Sequence, residues 1–317
     1  MVGFNYLSAG MAALARAHRA GTMAGHLGAA VVAGYFFGED QSELPEPVYR
    51  GIERELDRIR QGEEKIWFNA RQAGVTPAEL FEPLPIEDST PQRAGEVVAA
   101  LAANCAQTRQ SGHNVIFAAI GLRALQDHPA FATPIVIDGL IRMTQGFNTT
   151  HAGRGYYGKP SGWKNGNEVH LPSEDESFPP YAGIPHMVTA TVNELIGTAS
   201  ARKQGFGGLW HLINHAAAIV ELDGLGYGEV ARLALQGHHQ HLRLWRTLPN
   251  VEGELGGVDK AAIDPRESDY WAGRLKRDEA RLTHRIKTLY GFNLLRPFIA
   301  DEVRLRRAED AFLYLLA

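Results

Sequence analysis

The chain has 317 residues, of which 44% are apolar and 21% are charged, and its formal net charge at pH 7 is -4. This length suffices for a substantial hydrophobic core, and the charge gives no general attraction to nucleic acid or to an anionic membrane surface. The lone cysteine, Cys105, excludes an intramolecular disulfide and suits a reducing compartment. The longest apolar run, about 12 residues, is shorter than the roughly 20 that cross a bilayer. We therefore expect a cytoplasmic protein with no nucleic-acid and no membrane partner.

Helical periodicity dominates the chain, and no run of alternating β-branched residues bounded by Asn-Gly or Asp-Gly turns is convincing as a strand. Two helix starts carry clear signals, Thr76 before Pro77 and Ser89 or Thr90 before Pro91. No stretch has the composition of a linker, so the sequence predicts one all-α domain over residues 1–317. The predicted helices are 7–20, 23–37, 46–63, 77–82, 91–109, 113–127, 131–145, 185–200, 208–222, 227–246, 267–289 and 293–315.

The predicted helices are of two kinds. Helices 46–63 and 267–289 are charged on one side, as outer helices are, whereas four others are apolar or small on nearly all sides and are expected to be buried. The alternation is typical of an α/α toroid-like fold or a layered array of inner and outer helices. In a toroid the inner helices run parallel, so their N-terminal ends meet at one mouth. The four buried helices are 23–37, 113–127, 185–200 and 208–222.

Each of these four helices carries histidine near its start. Because histidine titrates near neutral pH, a buried cluster is suited to acid and base catalysis. The toroid-like arrangement would bring the rings to one internal cavity, which makes them the candidate catalytic residues. The alternative is that each ring only donates a hydrogen bond to a backbone carbonyl as part of the core. The catalytic candidates are His26, His113, His186 and His215.

A metal site is the second interpretation of the histidines. His211 and His215 are one helical turn apart and share a face. Glu194 can supply a carboxylate, and so can Glu221 or Asp223, which gives a two-histidine, one-carboxylate set for zinc or iron. Leu212 stands where the zincin pattern requires glutamate, so that pattern is excluded. The motifs identify no other cofactor.

A second histidine-rich tract, "GHHQH", occupies residues 237–241. It is followed closely by Arg243 and Arg246, and charged residues on a helix mostly face solvent. We therefore interpret the tract as a solvated helix face.

The stretch 146–183 has no helical period, and a connection this long in a compact domain is usually a lid, a binding loop or disordered. Its first half mixes aromatic rings and cations with glycine, a composition suited to an aromatic or anionic ligand. We interpret it as an active-site lid; the alternative is a surface loop that only packs on the domain. The candidate substrate-binding residues are Arg154, Tyr156, Tyr157, Lys159 and Trp163.

Three stretches, "GHLGAAVVAGYFFGED", "SGHNVIFAAIGLRALQDHP" and "NHAAAIVELDGLGYGEVARLAL", resemble helices of the questin oxidase-like proteins, in which a histidine followed by small and apolar residues recurs along an all-α chain. The residues that correspond are His26, His113 and His215. The resemblance implies an oxygenase that acts on a polycyclic aromatic or related ketone by Baeyer–Villiger-type ring opening, without a tightly bound flavin.

The sequence therefore leaves three functions open. The first is an enzyme, an oxidoreductase of the oxygenase kind or a histidine-driven acid/base catalyst, that acts on an apolar, aromatic or polycyclic small molecule in a histidine-lined pocket under a lid. The second is a metal-dependent hydrolase or lyase. The third is a non-catalytic helical protein that binds a ligand and whose histidines are structural.

Overall fold

A computed structural model describes residues 1–173, 176–273 and 281–317. The described residues form fourteen α-helices and one pair of short strands, so the predicted all-α fold class is confirmed. Within these ranges no helix is both long enough and apolar enough to cross a membrane. The helices are α1 (Phe4–Ala20), α2 (Gly25–Asp40), α3 (Glu46–Arg60), α4 (Ala70–Ala73), α5 (Pro77–Leu80), α6 (Ala94–Ala102), α7 (His113–Asp127), α8 (Pro134–Gln145), α9 (Ile184–Thr198), α10 (Gly208–Gly224), α11 (Gly228–Arg246), α12 (Glu252–Leu255), α13 (Arg281–Leu295) and α14 (Glu302–Phe312), and the strands are β1 (Arg154–Tyr156) and β2 (Trp163–Asn165).

Most predicted helices are present, and their starts follow local signals. The Thr76 hydroxyl accepts a hydrogen bond from the Glu79 amide at 3.3 Å and caps α5, as the Thr-Pro pair predicts. Helix α6 ends at Ala102, well before the predicted end at 109. The chain reverses between α6 and α7, where Gln110 and Ser111 take the left-handed conformation with φ of 44° and 61°.

The two C-terminal helices differ from the prediction. Of the predicted helix 267–289, the described residues 267–273 contain only a short 3-10 helix, residues 274–280 lie outside the described part of the chain, and α13 covers the rest. Helix α14, Glu302–Phe312, is shorter than the predicted 293–315. Charged side chains of α13 are buried, so its interpretation as an outer helix is wrong. The reason is pairing inside the core: the Arg285 guanidinium donates to the Glu55 carboxylate at 3.1 Å, and both side chains are almost unexposed.

The described chain divides into two compact units. The prediction of a single domain and that of a toroid-like or layered arrangement stay predictions, and each unit is described by itself. Unit 1 comprises Met1–Leu101, Phe117–Phe147 and Ile263–Tyr290, and unit 2 comprises Ala102–Ile116, Asn148–Ala262 and Gly291–Ala317, apart from the residues excluded above.

Unit 1 is built on the close packing of α2 and α8 against α1. Glycines permit this approach: a Cβ at Gly28 would lie 2.6 Å from the Leu14 amide nitrogen, and a Cβ at Gly139 would lie 2.1 Å from the Ala15 carbonyl oxygen. Helix α2 is buried from Gly25 to Gly38, as its composition predicts. The helix axes can be this close only because no side chain separates the backbones.

Unit 2 is built on α9, α10 and α11, with the β1–β2 hairpin at its surface. The strands are antiparallel, and Gly155 pairs with Lys164. Helix α10 is buried over most of its length, but α9 exposes Asn193 and Gly197, so the prediction that α9 is buried on nearly all sides is wrong. The hairpin lies within 146–183, where the sequence showed no strand.

We predict that Gly139→Ala lowers the free energy of unfolding by more than about 2 kcal/mol, because the new methyl group clashes with backbone that cannot move without shifting α1. Gly95→Ala, near the start of α6, is the matched control. A Cβ there meets nothing within 4 Å, so we expect a gain of about 0.5 kcal/mol from lower backbone entropy. Urea unfolding followed by circular dichroism measures both. Equal effects of the two substitutions would contradict the packing described here.

Candidate functional site

Five histidines are buried in unit 2. His113 is the first residue of α7, His211 and His215 lie on α10, and His238 and His241 lie on α11. None is more than 4% exposed, and the last three are fully buried. A histidine is usually only partly buried, so five such rings in one core require a specific account of their hydrogen bonds.

The burial of His238 and His241 shows that the interpretation of residues 237–241 as a solvated face is wrong. The signal that identifies them is helical spacing. Along α11 the buried positions Ala231, Ala234, His238, His241 and Trp245 follow each other at intervals of three or four residues and form one stripe. The two histidines therefore continue the apolar face of the helix, and the arginines beyond them lie on its other side.

His113 and His211 form a pair whose Nε2 atoms are 2.8 Å apart, with the rings nearly perpendicular. The Nδ1 atom of His211 is 2.5 Å from the carbonyl oxygen of Gly207. The Nδ1 atom of His113 contacts the carbonyl oxygen of Gln110. A carbonyl oxygen only accepts, so each Nδ1 carries a proton and donates it. In the neutral ring the Nε2 atom then bears a lone pair.

Two lone pairs therefore face each other across 2.8 Å, inside the core. Such an approach is repulsive unless a proton or a metal ion lies between the two nitrogens. The sequence hypothesis named His113 as catalytic and His211 as a metal ligand, and the structure brings the two together. The backbone carbonyls fix which nitrogen of each ring faces the other.

The remaining three histidines form the second part of the cluster. The Nε2 atom of His241 donates to the Phe206 carbonyl oxygen at 2.8 Å, and its Nδ1 atom accepts from Nδ1 of His215 at 3.3 Å. The Nε2 atom of His238 donates to the Leu212 carbonyl oxygen at 3.1 Å. The Nε2 atom of His215 is buried and has no hydrogen-bond partner among the described residues, which leaves it as an acceptor.

These three rings are neutral at pH 7. Burial lowers the pKa of His238 to about 3 and that of His241 to about 4, and it lowers the pKa of His215 well below its usual value. The nearby imidazoles add to the shifts of His215 and His238, because a second positive charge in the same core is unfavourable. The core is thus an uncharged polar site.

Two sequence candidates lie elsewhere in unit 2. His186 is exposed, and its Nδ1 atom accepts from the Ala182 amide at 3.2 Å, so its expected burial is not found. The Glu194 carboxylate accepts from Nε of Arg246 at 2.9 Å. The carboxylate of the metal set predicted from the sequence, His211, His215 and Glu194, is therefore already hydrogen-bonded to an arginine.

The predicted loop has the bounds that the sequence gives, since α8 ends at 145 and α9 begins at 184. Its aromatic residues contact each other and the end of α11 and α12. The Tyr156 hydroxyl donates to Glu254 at 2.9 Å, and the Tyr157 hydroxyl is 2.6 Å from that of Thr247. The ring of Trp163 is 46% exposed and lies 5.5 Å from that of Tyr156. A role as a lid stays a prediction.

The two candidate cations of this loop, Arg154 and Lys159, are at the surface. The guanidinium of Arg154 lies 5.6 Å from the ring centre of Trp163, and the Lys159 amide donates to Glu254 at 3.1 Å. Both side chains are exposed. The hairpin is therefore a surface cluster of rings and cations held by one glutamate, and binding of substrate there also stays a prediction.

Unit 1 contains a second buried polar cluster, around His26. The Lys287 ammonium group contacts Nδ1 of His26, the indole of Trp67 stacks on the His26 ring with centres 3.5 Å apart, and His284 meets that ring edge-on at 5.1 Å. Burial lowers the pKa of Lys287 to about 7, because the charged form is poorly solvated there. Lys287 is not predicted from the sequence, because the charged pattern of residues 267–289 indicates an outer helix.

Comparison with known proteins adds nothing to this geometry. No family model, no curated protein and no solved structure matches the chain. The function is therefore argued from the two buried clusters.

We predict that stability rises with pH between about 4 and 6.5. The unfolded histidines bind protons below about 6.5, whereas His238 and His241 stay neutral in the folded state until the pH reaches about 3 to 4. The unfolded state therefore holds more protons in this window, and each such histidine contributes about 1.4 kcal/mol per pH unit. Urea unfolding at several pH values gives the slope.

In the same measurement, His241→Gln should reduce the slope by about 1.4 kcal/mol per pH unit, whatever it does to the stability at pH 7. The control is His186→Gln, at an exposed position, which should leave the slope as it is in the unaltered protein. If the slope is the same in all three proteins, the His241 ring takes up its proton in the folded state as readily as in the unfolded state, and the prediction is wrong.

Proposed function

We propose that the chain is an enzyme that holds a metal ion between His113 and His211 and oxygenates an apolar, aromatic small molecule. The observation that carries the proposal is the 2.8 Å approach of two Nε2 atoms whose Nδ1 partners are both committed to backbone carbonyls. Histidines that bind a metal commonly donate their other ring N–H to a carbonyl or carboxylate, which orients the ring and fixes the tautomer. Both rings of the pair have this arrangement.

The spacing favours iron over zinc. Two nitrogens about 2.1 Å from one ion are about 3.0 Å apart at the right angles of an octahedral site and about 3.4 Å apart at tetrahedral angles. The observed 2.8 Å is closer to the octahedral value. In non-haem iron oxygenases two histidines and one carboxylate leave positions for dioxygen and substrate, whereas here the two histidines alone would be the protein ligands.

The metal would supply the activation of dioxygen, and the surrounding residues would control the environment. His215, His238 and His241 add polarity without charge, and the buried Ala216 and Ala217 of α10 exclude water. A dry, uncharged site strengthens the electrostatic effect of the ion on whatever is bound next to it. The resemblance to questin oxidase-like proteins supports oxygenation as the reaction.

A second candidate is acid/base catalysis without a metal, and one observation favours it. The Nε2 atom of His215 is an acceptor with no partner among the described residues, on a ring whose lowered pKa keeps it neutral. Its other nitrogen donates to His241, which holds the ring in the tautomer that a general base requires. In this mechanism His215 removes a proton from the substrate.

The test is metal content. Protein reconstituted anaerobically with Fe(II) and then desalted should hold about one iron per chain, measured by inductively coupled plasma mass spectrometry. His113→Ala and His211→Ala should each lower the bound iron at least about tenfold, because each removes a ligand. His186→Ala, at an exposed position, should bind iron normally. Circular dichroism establishes that each variant is folded.

Each outcome discriminates between the functions. Folded His113→Ala and His211→Ala proteins that hold as much iron as the unaltered chain would contradict the proposal. One zinc per chain on the same two histidines would favour the hydrolase or lyase. No metal at all, together with loss of activity in His215→Ala, would favour the acid/base mechanism.

A further inference from the structure

Trp67 of unit 1 packs against two buried aromatic rings. Its indole is nearly parallel to the His26 ring, with an interplanar angle of 14° and centres 3.5 Å apart. The His284 ring meets the indole edge-on at 5.4 Å, and the Phe117 ring meets His26 edge-on at 5.2 Å. The place that the indole occupies, called the slot below, is therefore bounded by one aromatic ring on its face and another at its edge.

The floor of the slot is polar. His26 is fully buried, Lys287 is 2% exposed and His284 is 8% exposed. The Lys287 ammonium group contacts His26 and lies 5.4 Å from the ring centre of Phe117. The indole thus stacks on one titratable ring and meets a second edge-on, groups of the kind that binding sites use.

Trp67 belongs to the segment 61–69, which joins α3 to α4 without helical structure. This segment borders an open groove of about 720 Å³, lined in part by Lys65, Ile66 and Phe68. Trp67 is only half-buried, and Ile66 beside it is 43% exposed. Both chain neighbours of Trp67 line this groove, so the groove lies beside the segment that carries the indole.

The edge of the indole is recognised by one carboxylate. Nε1 of Trp67 donates to Glu64 at 3.1 Å, and Glu64 is itself held by the backbone amides of Leu282 and Thr283 at the start of α13. Glu64 is 5% exposed and also lines the groove. A buried carboxylate that loses its donor is strongly disfavoured, so a molecule that displaces Trp67 must bring an N–H or O–H to the same place.

We infer that Trp67 occupies a binding slot for a planar aromatic molecule that carries an N–H or O–H donor on its edge, and that this molecule enters from the groove by displacing the indole. The exchange replaces one ring stack on His26 and one hydrogen bond to Glu64 with equivalent ones, so the slot remains filled throughout. The inference stands on unit 1 alone and goes beyond the proposed metal centre, since it needs no metal.

The test uses the full chain with its five tryptophans replaced by 5-fluorotryptophan, and each ¹⁹F resonance is assigned from a Trp→Phe variant. Naphthalen-2-ol is the probe, and 2-methoxynaphthalene, which lacks the donor, is its matched control. We expect naphthalen-2-ol to move the Trp67 resonance saturably toward the position of a solvent-exposed indole. The buried Trp271, whose Nε1 donates to the Pro265 carbonyl oxygen at 2.7 Å, serves as the internal reference and should not respond.

An unchanged Trp67 resonance at saturating probe would overturn the inference. So would equal responses to both probes, or movement of all five resonances together, which indicates nonspecific binding. A second measurement uses Trp67→Ala, which should bind naphthalen-2-ol at least about tenfold more tightly than the unaltered chain, because no indole competes for the slot. A folded Trp67→Ala protein that does not bind the probe also contradicts the inference.

Discussion

The hydrogen bond from a histidine Nδ1 to a backbone carbonyl just before a helix is the interaction on which the unit 2 site depends. It links His113 to Gln110 and His211 to Gly207, three and four residues earlier. The bond fixes the tautomer and aims the remaining nitrogen inward, so two rings from separate helices present lone pairs to one point. Without it each ring could turn its N–H inward and satisfy its neighbour.

The backbone conformation before these helices makes that bond possible. Gly112 and Gly207 have φ of 85° and 71°, in the left-handed region that favours glycine. A Cβ at Gly207 would lie 2.2 Å from Cγ of His211, and one at Gly112 would lie 2.5 Å from Nδ1 of His215. The absent side chains leave room for the rings to fold back against the start of the helix. The glycines are therefore part of the site.

These local relations explain what the sequence could predict. A histidine at the start of a small, apolar helix is visible in the sequence, and so His113, His211 and His215 were found. His238 and His241 followed the stripe of Ala231 and Ala234, but the neighbouring arginines concealed it. Lys287 could not be found, because its burial depends on contact with His26, which is distant in sequence. Periodicity reports the environment of a helix only where its charged residues face solvent.

The two buried clusters accommodate titratable side chains in the core in different ways. In unit 2 burial lowers the pKa of His215, His238 and His241 and keeps these rings uncharged, although the hydrogen bond from His241 to the Phe206 carbonyl acts in the opposite direction. In unit 1 the amine of Lys287 rests against an imidazole, and burial moves its pKa to about 7, so that it can gain or lose its proton near neutral pH. The first arrangement keeps three buried rings neutral, whereas the second provides a buried group whose charge can change near neutral pH. The Lys287 amine contacts His26, the ring on which Trp67 stacks, and Glu64, which accepts from the Trp67 indole, lines an open groove.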